Sequence, residues 1–158
     1  MTTVPLLSAR YLRMSEEFEL DPRLAGDTFV VGETPLSQLL LMNDARYPWL
    51  ILVPRRGDVT EPFELSEADQ AKLWQESMQL GQAMKAHFAA DKLNIAALGN
   101  RVAQLHVHHI ARFHTDDAWP GPVWGVGSAV PYSDAAREAL IGELRSLLRE
   151  PLDLTEAT

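Results

Sequence analysis

The stretch QLHVHHI, residues 104–110, contains three of the chain's five histidines and decides how its fold is interpreted. Its alternation of apolar and polar residues is typical of a β-strand that packs at least one face into a core. Side chains two residues apart on a strand share a face, so Gln104, His106 and His108 are expected to point one way and His109 the other. Two histidines are costly to bury without hydrogen-bond partners. The sequence therefore predicts that His106 and His108 line a functional site.

Length and composition limit the possible classes of protein. The chain has 158 residues, of which 46% are hydrophobic, and this favours a single domain over residues 1–158 with one sizeable core. The net charge of -8 argues against a nucleic-acid partner, because binding to phosphate backbones depends on clustered Lys and Arg. No apolar run reaches the roughly 20 residues of a membrane-spanning helix, and residues 1–13 lack the pattern of a secretory signal. The absence of cysteine excludes disulfides and thiolate sites, and a cytoplasmic location is expected.

Strand-like and helix-like segments alternate along the chain. The loop 44–48 joins two apolar runs as a hairpin, and Ser66 begins a long helix with a capping-box-like sequence. This order favours an α+β fold with an antiparallel sheet of about five strands, one long central helix and a C-terminal helix. The predicted strands cover 27–31, 37–43, 49–54, 93–98 and 102–113, and the predicted helices run from 66 to about 88 or 90 and from 133 to 149.

A pair of histidines on one sheet face is compatible with several kinds of chemistry. A metal site needs further ligands, but Asp116 and Asp117 lie beyond the strand and His87 lies on a helix. A hydrogen-bonded pair without chemistry is a second possibility. A neutral imidazole can also attack phosphorus and form a phosphoramidate that water later cleaves. Gly99 and Asn100 favour this third possibility, because they offer close backbone approach and an uncharged amide donor for phosphate oxygens.

Three segments together resemble the histidine-triad (HIT) family of hydrolases and transferases, whose motif is His-φ-His-φ-His-φ-φ. They are LLLMNDARYPWLILVPRR (39–56), LNIAALGN (93–100) and QLHVHHI (104–110), and they are similar in particular to bacterial members known as diadenosine-polyphosphate hydrolases. The resemblance covers roughly residues 27–113, which leaves 114–158 as a C-terminal extension. It implies a HIT-like fold, a homodimer, a nucleotide as the small-molecule substrate, and no cofactor or metal.

The resemblance also implies roles for individual residues. His106 would be the nucleophile that forms a nucleotidyl-histidine on the α-phosphorus, and His108 would donate a hydrogen bond to a phosphate or bridging oxygen. Asn43 matches the residue that binds the ribose hydroxyls, and Asn100 matches the amide that contacts phosphate near the leaving group. Asn94 matches a further polar contact, although a polar residue at a sheet edge explains it equally well.

The chain departs from the family pattern at three positions. Gln104 replaces the first histidine of the triad, and its amide is expected to hold His106 in one tautomer without being able to take up a proton. Trp49 stands where many members carry another histidine, so Gln104 and Trp49 are interpreted as a matched replacement of an imidazole pair. His109 stands at a usually apolar position, and we expect it to serve packing, an interface or the surface.

These observations favour a nucleotide phosphohydrolase or nucleotidyl transferase that attacks the α-phosphorus of nucleoside 5′-phosphate derivatives such as diadenosine polyphosphates. A nucleoside phosphoramidase is an alternative within the family. A nucleotide-binding or sensing module with weak turnover is another, because Gln104 weakens the triad. A metal-dependent enzyme with His106 and His108 as ligands is the third. Trp119 and Trp124, in the Pro- and Gly-rich segment 118–127, fit either the wall of a base pocket or packing.

Overall fold

The computed structural model describes residues 18–157, which form a five-stranded antiparallel sheet and three α-helices. This confirms the predicted α+β class. The strands are β1 (Thr28–Glu33), β2 (Ser37–Met42), β3 (Trp49–Pro54), β4 (Lys92–Ala96) and β5 (Val107–Arg112). The helices are α1 (Pro22–Asp27), α2 (Glu67–His87) and α3 (Asp134–Leu148), and a short 3-10 helix covers Pro62–Glu64.

The strand order places the histidine strand inside the sheet. The order is β1-β2-β3-β5-β4, and every neighbouring pair is antiparallel. Strand β5 therefore lies between β3 and β4, with Ile51 of β3 opposite His108 and Trp49 opposite Ile110. Residues directly opposite each other on neighbouring strands lie on the same face of the sheet. In this register the side chains of Trp49 and His108 lie on the same face of the sheet, in neighbouring pairs of that face.

Both faces of the sheet are covered, which explains why β3 and β5 are buried along their whole length. Helix α2 packs on one face, where its N-cap Ser66 accepts a hydrogen bond from the Asp69 amide and its buried Leu80 and Met84 join the larger core. The other face carries a second apolar cluster, to which Trp49 belongs. That cluster comprises Leu24, Leu40, Tyr47, Trp49, Ile51, Val53, Ile110 and Val123. Among residues 18–157, no helix has the length and apolarity needed to cross a bilayer.

His109 lies on the helix-covered face, opposite to His108. It is fully buried, and its Nε2 is 2.7 Å from Oγ of Ser77 on α2. Burial lowers the pKa of His109 to about 4, so the ring is neutral at pH 7. This confirms the expectation that His109 serves packing, and Ser77 on the helix supplies the hydrogen-bond partner of one of its two ring nitrogens.

The histidine strand is shorter than the sequence predicts. Strand β5 begins at Val107 and not at residue 102, because the preceding residues hydrogen-bond elsewhere. The Leu105 amide, for example, donates to the carbonyl oxygen of Val59. Gln104 and His106 therefore belong to a loop, and strand alternation cannot place the Gln104 side chain.

Candidate active site

The two predicted site histidines meet at the start of β5. Their ring centroids are 4.8 Å apart with the planes at 72°, and His106 and His108 are only 5% and 4% exposed. His106 precedes the strand by one residue and His108 is its second residue, so the strand fixes one ring and the loop fixes the other. The structure thus confirms that the two imidazoles lie side by side.

A backbone carbonyl defines the tautomer of His106. Its Nδ1 lies 2.6 Å from the carbonyl oxygen of Gln104. A carbonyl oxygen only accepts hydrogen bonds, so Nδ1 carries the proton and Nε2 of the neutral ring keeps its lone pair. His106 therefore has the electronic form that a nucleophilic imidazole needs.

The opposite tautomer is fixed at His108. The indole Nε1 of Trp49, which can only donate, lies 3.0 Å from His108 Nδ1. On the other side of the ring, Nε2 donates to the carbonyl oxygen of Leu98 at 3.1 Å. Burial is the main cause that lowers the pKa of His108 to about 4, and the electrostatic interaction with the His106 imidazole lowers this pKa further. His108 is therefore a neutral imidazole with its proton on Nε2.

Gln104 reaches a different part of the molecule from the one predicted. Its side-chain amide accepts from the Asp21 amide at 2.9 Å and donates to the Glu19 carbonyl at 2.8 Å. The expectation that the amide side chain holds His106 is wrong, since the main-chain carbonyl of the same residue does so. Trp49 bonds His108 while Gln104 bonds the segment before α1, so the two residues interpreted as a matched replacement act at different places in this protein.

Gly99 and Asn100 lie where the loop turns back towards the histidines. A Cβ atom added to Gly99 would be 3.1 Å from Cε1 of His106 and 2.7 Å from the Val102 carbonyl oxygen. This contact explains the glycine, because any side chain would press on the ring. Asn100 follows Gly99 in a bend and is exposed.

Asn43 and Asn94 lie in different surroundings. Asn43 follows β2 and lines a cleft of about 400 Å³, and its Oδ1 accepts from the Tyr132 amide at 2.9 Å. Asn94 is on β4, opposite Ile110, and its Oδ1 accepts from the Arg112 guanidinium at 2.8 Å. Both side-chain oxygens already accept a hydrogen bond within the protein, so the difference between the two residues is that Asn43 lines the cleft.

Arg112, Asp116 and Asn94 form a buried network at the far end of β5. Arg112 is 1% exposed and makes a two-pronged ion pair with Asp116, with distances of 2.7 and 3.0 Å. The Arg112 guanidinium holds the pKa of Asp116 down at about 2. The centre of the Trp119 ring lies 5.7 Å from Cζ of Arg112, so Trp119 belongs to this structural network.

Trp124 is the tryptophan of the extension that contacts His108. Its ring centroid is 5.1 Å from that of His108 and 5.8 Å from that of Trp49, both nearly perpendicular. Trp49 and Trp124 also line the cleft that contains Asn43. The two tryptophans thus connect the histidine pair to the cleft.

The sequence did not predict two features of the site. The first is the contact between Trp49 and His108, and the second is the position of the extension along the cleft. The only available signal for the first was the donor-only indole at a position where relatives carry histidine. The second involves the Val130 amide donating to Asp44 and the Arg46 guanidinium donating to the Val126 carbonyl, across more than 75 residues of chain. Within residues 18–157, no three His, Asp or Glu side chains are grouped so as to hold a metal ion.

Comparison with known proteins agrees with this geometry. A HIT-domain family model matches residues 23–115. A histidine triad protein from Marinobacter aquaeolei VT8 is 47% identical, with 84% of this chain and 97% of that chain covered and a TM-score of 0.82. One from Sinorhizobium meliloti 1021 is 46% identical, with coverages of 85% and 99% and a TM-score of 0.82. A third, from Bradyrhizobium japonicum, is 47% identical, with coverages of 85% and 98% and a TM-score of 0.79.

A search among curated proteins found no match. The family match nevertheless covers more than half of the chain, and the solved relatives share the whole fold. The chain therefore belongs to the histidine-triad (HIT) family, a family of nucleotide hydrolases and transferases.

Proposed function

We propose that this protein is a nucleotide phosphohydrolase or nucleotidyl transferase that acts on the α-phosphorus of nucleoside 5′-phosphate derivatives, with diadenosine polyphosphates as the substrate class. The observation that carries the proposal is the bond from His106 Nδ1 to the Gln104 carbonyl. It leaves the Nε2 lone pair of the neutral tautomer free for attack, beside the second imidazole, that of His108.

The proposed reaction has two steps. In the first, His106 Nε2 forms a bond to the α-phosphorus, and the bond from phosphorus to the leaving group's oxygen breaks with its electron pair on that oxygen. In the second, water attacks phosphorus and loses a proton to the solvent, and the phosphorus–nitrogen bond breaks, which returns the lone pair to Nε2. The proposed donors to the phosphoryl oxygens are the amide of Asn100 and the Nε2–H of His108, which must exchange its present acceptor, the Leu98 carbonyl oxygen, for a phosphoryl oxygen.

The cleft beside the histidines is the proposed nucleoside site. It is lined by Asn43, Trp49 and Trp124 together with the glycines at 125 and 127, so it combines an amide, aromatic surface and accessible backbone. These groups suit a ribose and a flat base. Gly99 and Asn100, on the other side of the pair, are proposed to face the phosphate chain.

The deciding experiment compares diadenosine tetraphosphate with an adenosine phosphoramidate, each with and without EDTA. We expect turnover that is insensitive to EDTA and an acid-labile adenylate adduct in intact-protein mass spectra. His106→Ala removes both signals, whereas His114→Ala, at an exposed histidine outside the cleft, retains both.

Three results would contradict the proposal. Activity lost with EDTA and restored by zinc would favour a metal-dependent enzyme. Tight binding of AMP without turnover of either substrate would favour a sensing module. Efficient turnover of the phosphoramidate alone would favour a nucleoside phosphoramidase.

We further propose that the protein is a homodimer, as its family resemblance implies. Strand β4 is at the end of the described sheet, and an unpaired strand edge is a ready site for association. Ile95 on this strand, Trp74 on α2 and Phe63 before α2 are exposed and apolar. Analytical ultracentrifugation is expected to show a dimer that Ile95→Lys weakens, and a monomeric native protein would refute this proposal.

A further inference from the structure

The hydrogen bond between Trp49 and His108 has a consequence for the proton chemistry of the site. Among the described neighbours of His108, Trp49 from β3, Trp124 from the extension and the Leu98 carbonyl are uncharged, and His106 is the titratable group that faces it. His109 lies on the other face of the sheet. The protonation state and the tautomer of His108 therefore depend on these few contacts.

We propose that Trp49 is a positioning residue that keeps His108 as a fixed Nε2–H donor, which directs the enzyme towards phosphoanhydride substrates and away from phosphoramidates. This rests on the proposed function. The indole N–H can only donate, so it occupies the Nδ1 lone pair and opposes a proton there. Protonated His108 would place two N–H groups 3.0 Å apart.

A neutral imidazole can stabilise charge but cannot act as a general acid near neutral pH, because its remaining proton is far too weakly acidic. A phosphoanhydride does not need that proton, since its leaving phosphate departs as a stable oxyanion with the electron pair of the broken bond. The nitrogen of a phosphoramidate leaves poorly unless it is protonated. The Trp49–His108 contact thus favours a phosphate leaving group over a nitrogen leaving group.

The geometry of the pair strengthens this inference. Trp49 is only 6% exposed, and its ring is held between Tyr47 and Trp124 at centroid distances of 6.4 and 5.8 Å. The register of β3 and β5 fixes the two backbones. Neither ring can turn away without disturbing this packing, which therefore keeps the donor aimed at His108.

The tautomer can be tested on the native protein without any substrate. Long-range 1H–15N NMR spectra assign each ring nitrogen of His108 as protonated or unprotonated. We expect Nδ1 unprotonated and Nε2 protonated from pH 8 down to pH 5. A proton on Nδ1 anywhere in this range would overturn the inference, whether or not the protein turns over nucleotides.

The effect on leaving-group preference is tested with Trp49→Phe, which keeps an aromatic ring and removes the N–H. We expect His108 to titrate at a higher pH in this variant. The ratio of kcat/KM for diadenosine tetraphosphate to that for adenosine phosphoramidate should fall by at least about tenfold, because general acid catalysis typically contributes more than this.

Trp119→Phe is the matched control, since Trp119 packs in the Arg112 network, and it should leave both the His108 spectrum and the ratio unchanged. An unchanged ratio in a folded Trp49→Phe protein would refute the link between Trp49 and leaving-group choice. If Trp49→Phe fails to fold, the spectrum of the native protein still decides the tautomer. Absence of turnover of both substrates by the native protein would refute the proposed function, and that outcome is distinct from a wrong tautomer.

Discussion

Gly99 packs directly against the imidazole of His106. The position that a Cβ atom would occupy is 3.1 Å from His106 Cε1, tighter than an ordinary van der Waals contact, and 2.7 Å from the Val102 carbonyl oxygen. The loop that carries Asn100 therefore packs, through Gly99, against the ring of the proposed nucleophile His106. Loop shape and ring position depend on each other, and this relationship can be tested by adding a single methyl group.

Gly99→Ala is expected to shift the loop or the His106 ring and to lower kcat by at least about tenfold, because small displacements of reacting groups are costly. Overpacking of this kind also destabilises by about 1–3 kcal/mol. Turnover and urea denaturation measure the two effects. Gly142→Ala is the matched control, since a Cβ there meets nothing within 4 Å, and it should keep full activity. Equal loss of activity in both variants would contradict the proposed contact.

Gln104→His tests the altered triad position. Because the Gln104 side chain bonds Glu19 and Asp21 and its backbone carbonyl holds His106, we expect the substitution to change kcat by less than about tenfold. Loss of the two amide bonds should cost about 1 kcal/mol for each in the free energy of unfolding. An increase in rate by orders of magnitude would show instead that the side chain at position 104 limits catalysis.

Asn43→Ala and Asn94→Ala distinguish a ligand contact from a structural one. Asn43 lines the cleft, so its loss should weaken AMP binding by about tenfold, the equivalent of one hydrogen bond. Asn94 accepts from buried Arg112, so its loss should leave AMP binding nearly unchanged and destabilise the fold by about 1–3 kcal/mol. Calorimetric titration measures AMP binding, and thermal denaturation measures stability. Weakened AMP binding in Asn94→Ala but not in Asn43→Ala would contradict this assignment.

The protein should lose stability as the pH falls from 6.5 towards 4. The pKa values of His108 and His109 are about 4 in the folded state and 6.5 when unfolded, so the unfolded chain binds more protons in this window. Each histidine then lowers the free energy of unfolding by roughly 2 kcal/mol at pH 5, since one pKa unit corresponds to about 1.4 kcal/mol. Urea denaturation from pH 8 to pH 4 measures this loss. A free energy of unfolding that stays constant down to pH 5 would contradict it.

Much of the fold followed from local pattern. The predicted strand 49–54 coincides with β3, and the long helix after Ser66 ends within three residues of the predicted limit, because hydrophobic period and capping residues act locally. The last strand was predicted too long, since the sequence around Val102 is apolar. Its backbone bonds to distant partners such as Val59 are not visible in that pattern.

The sequence by itself determined the class of the fold, the family, the pairing of His106 with His108 and the opposite direction of His109. These follow from periodicity and motif, which involve residues close together in the chain. The tertiary structure decided which atom holds each imidazole: a carbonyl for His106, an indole 59 residues away for His108. A tautomer depends on the donor or acceptor that faces each ring nitrogen, and only the folded chain brings these groups within hydrogen-bonding distance.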